Sequence, residues 1–400
     1  MRVLEVTASF HPNIGGVETF VEELSRRLSN QHQIECLVLH SERAGLRKSE
    51  LGPSKVKSVT WDANFQLSST PVNLEWYSKA TRLLAEFDPH IVHIHIPLPG
   101  LPDVVAAVAR KRRIPVVLTY HNDVVGWNLR QGIMAFAYNM TLGRRTLETA
   151  ARIVVDSSLG YARGSRWLTS HLEKTTAIAP GISEEFLSSS SLPNYDQRVR
   201  DLVFVGRLEP GASYKGLPYL FKAMKLALRS SPGMSLSIVG SGEWQDRYRD
   251  LALAVGLGNS VRFTGVLSRS QLIDELRSHK LFVMPSTSRA EGFGIAVVEA
   301  QSQGLPVVVA EVGGLTSAME PGETGVVVPL AQPETLATTI LNLLSDETRW
   351  THYSRAAANF SRRFVWETTC AKYVEEFRGV LGKDPRIDGV ADSPSSSLKK

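Results

Sequence analysis

The sequence predicts an α/β fold in which two Rossmann-like, doubly wound domains face each other across a cleft. Short apolar runs alternate with helical patterns through the first half, and the same alternation restarts after residue 195. Strands that alternate with helices indicate parallel sheets. A length of 400 residues accommodates two domains of ordinary size.

The domain boundaries follow from this pattern. Residues 1–190 form the first predicted domain, residues 195–363 form the second, and a Ser-rich stretch at 188–194 is the predicted linker. A last helix is predicted at about residues 364–380. Residues 383–400 are rich in Ser, Pro, Asp and Gly and are expected to be disordered.

Each domain has its own series of predicted elements. The first domain is expected to contain helices at 75–87 and 101–110 and strands at 3–7, 34–39, 91–94, 116–120 and 153–156. The second is expected to contain helices at 217–228 and 295–303 and strands at 202–205, 236–239, 261–264, 281–284, 307–310 and 326–328.

Composition narrows the class of protein. Apolar residues make up 43% and charged residues 21%, as in globular proteins. No apolar run approaches the roughly 18 residues of a membrane span, and the first strand begins at once, so a cytoplasmic protein is expected. Cys36 and Cys370 are too few for a disulfide framework or a cysteine-ligated zinc site. The net charge of +5 suits a basic enzyme of phosphorylated ligands, with no nucleic-acid partner expected.

The stretch 281–306 is the most informative in the chain, because it forms a strand, a polar loop and a helix. The first turn of that helix offers backbone N–H groups without intrahelical partners, so Phe293, Gly294 and Ile295 are candidates to hold an anion. Glu291 and Glu299 bracket these amides. Carboxylates repel phosphate but accept bonds from sugar hydroxyls, so the set suits a nucleotide-diphosphate sugar. On spacing alone, solvated loop and helix charges explain the two acids equally well.

Glu291-Gly-Phe-Gly-Ile, Glu299-Ala and the following Gly304-Leu-Pro-Val resemble the E-x7-E signature of retaining glycosyltransferases of family 4, which have the GT-B fold. The resemblance extends from Val3 to about Phe377. It implies that Glu291 contacts the donor sugar and Glu299 the nucleotide ribose. It also implies that the last helix packs back onto the first domain.

Two further parts of the first domain share this resemblance. Gly15 and Gly16, at a strand-to-helix junction, resemble the Gly-Gly-x-Glu loop that borders the space between donor and acceptor. Thr119-Tyr-His121-x-Asp123 resembles a pattern whose histidine lies near the donor sugar, which places His121 in the active site. A lone histidine at a strand end is otherwise more often a structural residue.

In the second domain, Gly206-Arg207-Leu208 and Tyr214-Lys215-Gly216 resemble the element whose Arg and Lys neutralise the donor diphosphate. Fixed cations stabilise the charge that grows on the leaving phosphate. No Asp-x-Asp motif is present, so neither a metal nor another cofactor is expected. The loop between Arg207 and Lys215 is longer than usual, which leaves the reach of Lys215 open. Gly240 resembles the Gly-x-Gly turn beside the nucleotide.

One basic and apolar region points outside the active site. Four cations at 110–113 and the pair Arg144-Arg145 flank the apolar, aromatic stretch 133–142. Peripheral contact with the inner face of a membrane and a solvated basic face are both compatible with this pattern.

The resemblance implies a retaining transfer of a hexose-type sugar, with mannose and glucose as first guesses, to a saccharide or lipid-linked acceptor in glycan biosynthesis. The alternatives are a sugar-nucleotide epimerase or a phosphorylase of the same fold, and a non-catalytic nucleotide-sugar-binding protein. The base, the linkage and the oligomeric state do not follow from the sequence.

Overall fold

The computed structural model describes residues 1–11, 15–42, 56–67, 70–96, 99–187 and 191–382. The predicted disordered tail, residues 383–400, and part of the predicted linker, residues 188–190, lie outside the described residues. Within those described ranges, no helix has both the length and the apolar content that a membrane span requires.

The first domain is built on a seven-stranded parallel sheet. In the sheet its strands follow one another in the order β3 (Ser58–Asp62), β2 (Glu35–Glu42), β1 (Arg2–Val6), β6 (Ile91–Ile96), β7 (Val116–Tyr120), β8 (Arg152–Val155) and β9 (Thr175–Ala177). A separate hairpin pairs β4 (Phe65–Leu67) with β5 (Thr70–Val72). Every residue of β6 and β7 is buried, because helices cover both faces of the sheet.

The helices of the first domain connect these strands. They are α1 (Gly16–His32), α2 (Trp76–Glu86), α3 (Leu101–Arg112), α4 (Leu129–Met140), α5 (Leu142–Thr149), α6 (Leu159–Gly164) and α7 (Glu184–Leu187). The first of them presents Phe20, Val21, Leu24 and Leu28 to the sheet, as its helical spacing predicts.

The second domain repeats the architecture with six parallel strands. Their order in the sheet is β12 (Val261–Gly265), β11 (Leu236–Val239), β10 (Arg200–Val205), β13 (His279–Met284), β14 (Val307–Ala310) and β15 (Gly325–Val328). The helices around it are α8 (Leu217–Ala227), α9 (Gln245–Ala254), α10 (Arg269–Arg277), α11 (Ile295–Ser302), α12 (Pro333–Ser345) and α13 (Glu347–Ser361).

The last helix, α14 (Trp366–Leu381), returns to the first domain. Its buried Cys370, Tyr373 and Phe377 pack in one cluster with side chains of α1 and of the first sheet. The buried guanidinium of Arg27 in α1 bonds to Glu184 at 2.5 Å and lies 5.7 Å from the ring centroid of Trp366. These contacts hold α14 against the first domain, as the resemblance implies.

The predicted strands and helices are all present, with ends that coincide or differ by up to three residues. Among the strands, the sequence prediction lacks β3, the β4–β5 hairpin and β9, and it gives no bounds for helices α4 to α7, α9, α10, α12 and α13. The edge strand β3 alternates exposed and half-buried residues rather than forming an apolar run, so its pattern carried little signal. An edge strand pairs on one side only and is less buried, so its sequence need not contain a continuous apolar run.

Candidate active site

Both sheets reverse their strand order at one point, and the candidate site lies there. The reversal falls between β1 and β6 in the first sheet and between β10 and β13 in the second. Open parallel sheets bind ligands at the carboxyl ends of the strands beside such a reversal. The loop before Gly16 follows β1, Arg207 follows β10, and the loop containing Glu291 follows β13. The fold therefore gathers these sequence-predicted residues at the two reversal points.

The loop after β13 leads into α11 through Gly294. This glycine has φ of 78° and caps the helix, a conformation that favours glycine. The side chain of Phe293 is 3% exposed and packs on the Phe364 ring, so it holds the loop in place. The N–H groups at the start of α11, beginning with Ile295, have no partner within the helix. The loop, the glycine cap and the start of the helix therefore lie where the sequence predicts them, and the N–H of Val297 closes the turn on the carbonyl oxygen of Gly294 at 2.8 Å. Anion binding by this turn stays a prediction.

Glu291 is buried beside this turn and bonded to a lysine. Its side chain accepts bonds from the Lys215 ammonium at 2.9 and 3.2 Å and from the Ser286 hydroxyl at 2.8 Å. Burial alone would lower the pKa of Lys215, but its interactions with Glu291 and Tyr214 raise it above its usual value. The ammonium is therefore charged and fixed next to the helix turn.

The long loop before Lys215 explains how the lysine reaches this position. Residues 210–215 form a 3-10 turn that ends at Gly216, whose φ of 80° redirects the chain. Arg207, at the start of the loop, is 53% exposed, and one of its Nη atoms lies 3.5 Å from an oxygen of Glu209. Exposed pairs of this kind contribute about 0–1 kcal/mol, so Arg207 can exchange Glu209 for a ligand at little cost.

The space available for a side chain differs between Gly240 and Gly16. Gly240 has φ of 128°, and a Cβ there would lie 2.0 Å from the carbonyl oxygen of Gly206, so the ends of β10 and β11 approach too closely for a side chain. A Cβ on Gly16 would meet no atom of the described part of the chain within 4 Å. Packing among the described residues does not require a glycine at that position, which leaves open space at the start of α1.

Glu299 lies one turn into α11, half-buried. Burial raises its pKa to about 7, and the positive charge of Arg269 acts in the opposite direction. Near neutral pH its carboxyl group is therefore shared between the protonated and ionised forms. Such a group accepts bonds from hydroxyls more strongly as it ionises.

A buried chain of hydrogen bonds holds the ring of His121. Its Nδ1 lies 3.0 Å from an oxygen of Asp156, and its Nε2 lies 3.2 Å from Nδ1 of His95. The ring of Phe20 meets it edge-on, with 5.2 Å between centroids. Both ring nitrogens of His121 are engaged within the first domain, so the orientation of the imidazole is fixed by the protein itself.

The series of buried polar side chains continues from His95 to Glu5 and His93 in the first sheet. Nε2 of His95 lies 2.9 Å and Nδ1 of His93 2.7 Å from the same oxygen of Glu5. Burial raises the pKa of Glu5, but the two histidines outweigh it and lower the pKa to about 2. Burial, followed by the effect of His93, lowers the pKa of His95 to about 3. At neutral pH the carboxylate is charged and the His95 ring neutral.

Glu5, His93 and His95 are also a group of side chains, within the part of the chain that the structure describes, near enough to share a cation. His95 is hydrogen-bonded to Glu5 at 2.9 Å and His93 to the Thr119 hydroxyl at 2.8 Å, while Nδ1 of His93 lies 2.7 Å from the same oxygen of Glu5. Ligands around tetrahedral zinc stand about 3.3 Å apart when Zn–N is near 2.05 Å. A hydrogen-bonded network fits these residues better than a metal centre.

The two domains meet at the same place. A Cβ on Gly292 would lie 2.2 Å from the carbonyl oxygen of His121, so the loop after β13 packs directly on the loop after β7. The amide of Asn122 donates to the carbonyl oxygen of Ala290 at 2.7 Å. Arg289 pairs with Asp123 at 3.1 Å across the same contact. Asp123, whose role the motif left open, therefore joins the domains.

Several residues of the site were missed by the sequence analysis. His95, Asp156 and Glu5 hold His121, and Arg289 joins the domains. The alternation His93-Ile-His95 was a usable signal, because residues two apart share one face of a sheet, but the predicted strand ended at residue 94 and β6 extends to Ile96. Asp156 and Glu5 carry no such local signal, since only the strand order brings them near His121.

Comparison with known proteins identifies the family. Residues 192–360 match the model described as glycosyl transferases group 1, and residues 14–186 match the model described as glycosyltransferase family 4. The D-rhamnosyltransferase WbpZ of Pseudomonas aeruginosa is 32% identical over 276 residues, which cover 68% of this chain and 68% of that protein. The chain belongs to glycosyltransferase family 4.

Two other comparisons extend over nearly the whole of this family 4 chain. Phosphatidyl-myo-inositol mannosyltransferase of Mycobacterium leprae is 24% identical over 378 residues, 93% of this chain and 95% of that protein. The crystal structure of Anabaena Alr3699/HepE in complex with UDP and glucose is similar, with a TM-score of 0.72, 20% identity, and coverage of 95% of this chain and 100% of that chain. The predicted GT-B fold is confirmed, and the protein is a glycosyltransferase, which leaves the non-catalytic hypothesis without support.

Proposed function

We propose that this glycosyltransferase moves a hexose-type sugar from a nucleoside-diphosphate donor to a saccharide or lipid-linked acceptor, with retention of configuration and without a metal. The observation that carries the proposal is the buried Lys215–Glu291 pair beside the open N-terminus of α11. A fixed cation, free amides and a carboxylate in one place match the phosphate and the sugar hydroxyls of such a donor.

The donor would lie along this turn. The amides of Phe293, Gly294 and Ile295 would bind the diphosphate, and Arg207 would leave Glu209 to join them. Glu299 would accept bonds from the ribose hydroxyls. Glu291 would orient the sugar, with Lys215 shared between Glu291 and the phosphate.

His121 would border the sugar from the opposite domain. Its contact with Gly292 across the interface brings it next to Glu291, which supports a pocket lined by both domains. Asp156 and His95 would keep the imidazole in one orientation while the sugar binds. The open space at Gly16 would leave room for the acceptor.

In the transfer step the bond between the anomeric carbon and the leaving phosphate oxygen breaks, and the acceptor oxygen bonds to that carbon. The acceptor proton passes to the leaving phosphate, which acts as the base. Glu291 accepts bonds from Lys215, and Asp156 lies 3.0 Å from His121, so both carboxylates hold other groups of the site and neither is assigned as a nucleophile. Lys215 and Arg207 would stabilise the charge that grows on the departing diphosphate.

The comparisons narrow the first donors to test. One relative is named a mannosyltransferase, and one similar structure contains UDP and glucose. GDP-mannose and UDP-glucose are therefore the first candidates. The lipid acceptor in the name of the mannosyltransferase supports a lipid-linked acceptor for this protein too.

The experiment measures the melting temperature with each donor and then slow donor hydrolysis for wild type and Glu291→Gln. A donor present at about 100 times its Kd adds about 2.7 kcal/mol to the free energy of unfolding. Hydrolysis that Glu291→Gln reduces by about tenfold or more supports the proposal. Formation of an isomeric sugar nucleotide, with no hydrolysis and no transfer, would instead identify an epimerase.

A further inference from the structure

Helix α4 exposes an apolar stripe to solvent. Leu129, Ile133, Phe136 and Met140 recur at helical spacing on one face, and their exposed fractions are 83%, 62%, 49% and 46%. In a helix of a folded domain such a stripe ordinarily faces the core. Here Asn139 is the buried residue of the helix. The ring of Phe136 meets that of Trp167 edge-on, with 6.0 Å between centroids, and lies 5.5 Å from the guanidinium of Arg166. The other half of that ring remains exposed to solvent together with Leu129, Ile133 and Met140.

The outward orientation of this stripe is fixed by contacts on the opposite side of the helix. The amide of Asn139 donates to the carbonyl oxygen of Val124 at 3.0 Å, and the hydroxyl of Tyr138 donates to Asp103 at 3.1 Å. A Cβ on Gly143, at the start of α5, would lie 3.0 Å from the Tyr138 ring. These contacts pin α4 to α3 and α5, so the apolar face cannot turn inward without breaking them.

The charges around the stripe are mostly positive. Residues 124–147 contain Arg130, Arg144 and Arg145 and no acidic residue. All three arginines are exposed, and Arg144 pairs with Glu148 one turn later. Four more cations, residues 110–113, end α3, which packs against α5. A partner of this face must accept apolar side chains and carry negative charge.

We propose that α4 and the preceding residues 125–127 dock on the surface of a bilayer that contains anionic lipids. Apolar side chains in an interfacial helix bury into the headgroup region while arginines meet lipid phosphates. A second copy of this chain is a poor partner, because it would bring the same positive charge against itself.

The docking face borders the entrance to the candidate active site. The ring of Trp127, 48% exposed, meets the ring of Trp244 in the second domain at 6.2 Å between centroids. Trp244 stands two residues after the Gly240–Gly242 turn on the donor side. A bilayer on this face would lie at the mouth of the cleft. A lipid-linked acceptor could then enter the site from the membrane, a conclusion that rests on the proposed function.

The test is flotation of the full chain with phosphatidylcholine vesicles, with and without phosphatidylglycerol. We expect flotation with the anionic vesicles only, and we expect Ile133→Gln with Phe136→Gln to lower the partition constant by about tenfold or more. Leu253→Gln is the matched control, because Leu253 is 63% exposed on α9 of the second domain. It should bind vesicles like wild type.

A second set of variants tests the electrostatic contribution to vesicle binding. Arg130→Gln and Arg145→Gln should each lower the partition constant about fivefold, and exposed Arg229→Gln in the second domain should leave it unchanged. Wild-type chain that fails to float with anionic vesicles would overturn the proposal. So would equal flotation of the double variant, or light scattering that shows a dimer which the double variant disrupts. Flotation measures membrane binding without any turnover of donor. Wild-type protein that floats but hydrolyses no donor would therefore refute the proposed function and leave the docking proposal standing.

Discussion

Glu299 links protonation to folding and to donor binding. Its pKa of about 7 in the folded protein stands above the ordinary 4.5, so the folded state retains a proton that the unfolded chain has released between these values. Stability attributable to this group therefore falls as pH rises from about 4.5 through about 7. Hydroxyls that donate to Glu299 favour its ionised form and oppose this trend.

We predict that Glu299→Gln is more stable than wild type above pH 7, by about 3 kcal/mol at most, and that the difference vanishes towards pH 4.5. Urea unfolding at a series of pH values measures it. Glu347→Gln, at an exposed glutamate of the same domain, should keep the wild-type pH dependence. A difference that does not change with pH would contradict burial as the cause. In wild type, donor affinity should rise with pH through the same range.

His95 is a positioning residue, because it contacts His121 rather than the ligand. We predict that His95→Leu lowers kcat of donor turnover by about tenfold with little change in KM, since the ring of His121 loses one of its two restraints. His95→Asn, which can still bond to His121, should recover part of the rate. Steady-state kinetics on purified variants give both constants.

The control for this prediction is His40→Leu. His40 is also buried in the first sheet and bonds to Thr60 at 2.9 Å, and it lies on β2. It should lose stability like the His95 variant without a matching loss of kcat. Equal kinetic effects in the two variants would show that His95 acts only through the stability of the sheet.

Motif spacing accounts for much of the site at the scale of residues, but not for its supports. Glu291, the α11 turn and His121 each stand at a strand end that an apolar run reveals. Lys215 was placed near a phosphate, and its bond to Glu291 was not foreseen because 76 residues separate the two in the chain. Contacts of that separation depend on strand order, which local patterns do not encode.

At the scale of elements, the packing of helix α14 contributes to the stability of the first domain. Phe377 is 0% exposed and packs among residues of the first sheet and α1. We predict that Phe377→Ala lowers the free energy of unfolding by about 3–5 kcal/mol, because it leaves a cavity under the helix. Val380→Ala, half-buried on the same helix, should cost less than about 1.5 kcal/mol. Equal losses in urea unfolding would show that α14 is not packed as described.

The elements themselves were predictable where burial is strong. All predicted strands formed, because central strands of parallel sheets are covered on both faces and appear as apolar runs. The missed β3 and β9 lie at the two edges of the first sheet. For helix α4 the basic residues around its apolar stretch allowed either membrane contact or a solvated basic face, and the sequence did not decide which side of the helix faces solvent.

At the scale of the whole molecule, the loops after β7 and β13 pack against each other where the two domains meet. We predict that Gly292→Ala separates the loops after β7 and β13, costing about 1–3 kcal/mol of stability and lowering donor turnover, because its Cβ would lie 2.2 Å from the carbonyl oxygen of His121. Gly211→Ala is the matched control, since its Cβ would meet no atom within 4 Å. Calorimetry and donor hydrolysis measure both variants. Wild-type turnover in Gly292→Ala would contradict a site shared by the domains.

The central claim is that fixed cations and helix amides, rather than a metal, hold the diphosphate while the glycosyl bond breaks. Donor turnover in excess EDTA, for wild type and for Arg207→Ala, tests it most directly. Wild-type turnover should be unchanged by EDTA, and Arg207→Ala should lose about 10- to 150-fold, the equivalent of one charge-assisted hydrogen bond. Turnover that EDTA abolishes and Mg²⁺ restores, with Arg207→Ala as active as wild type, would contradict the account.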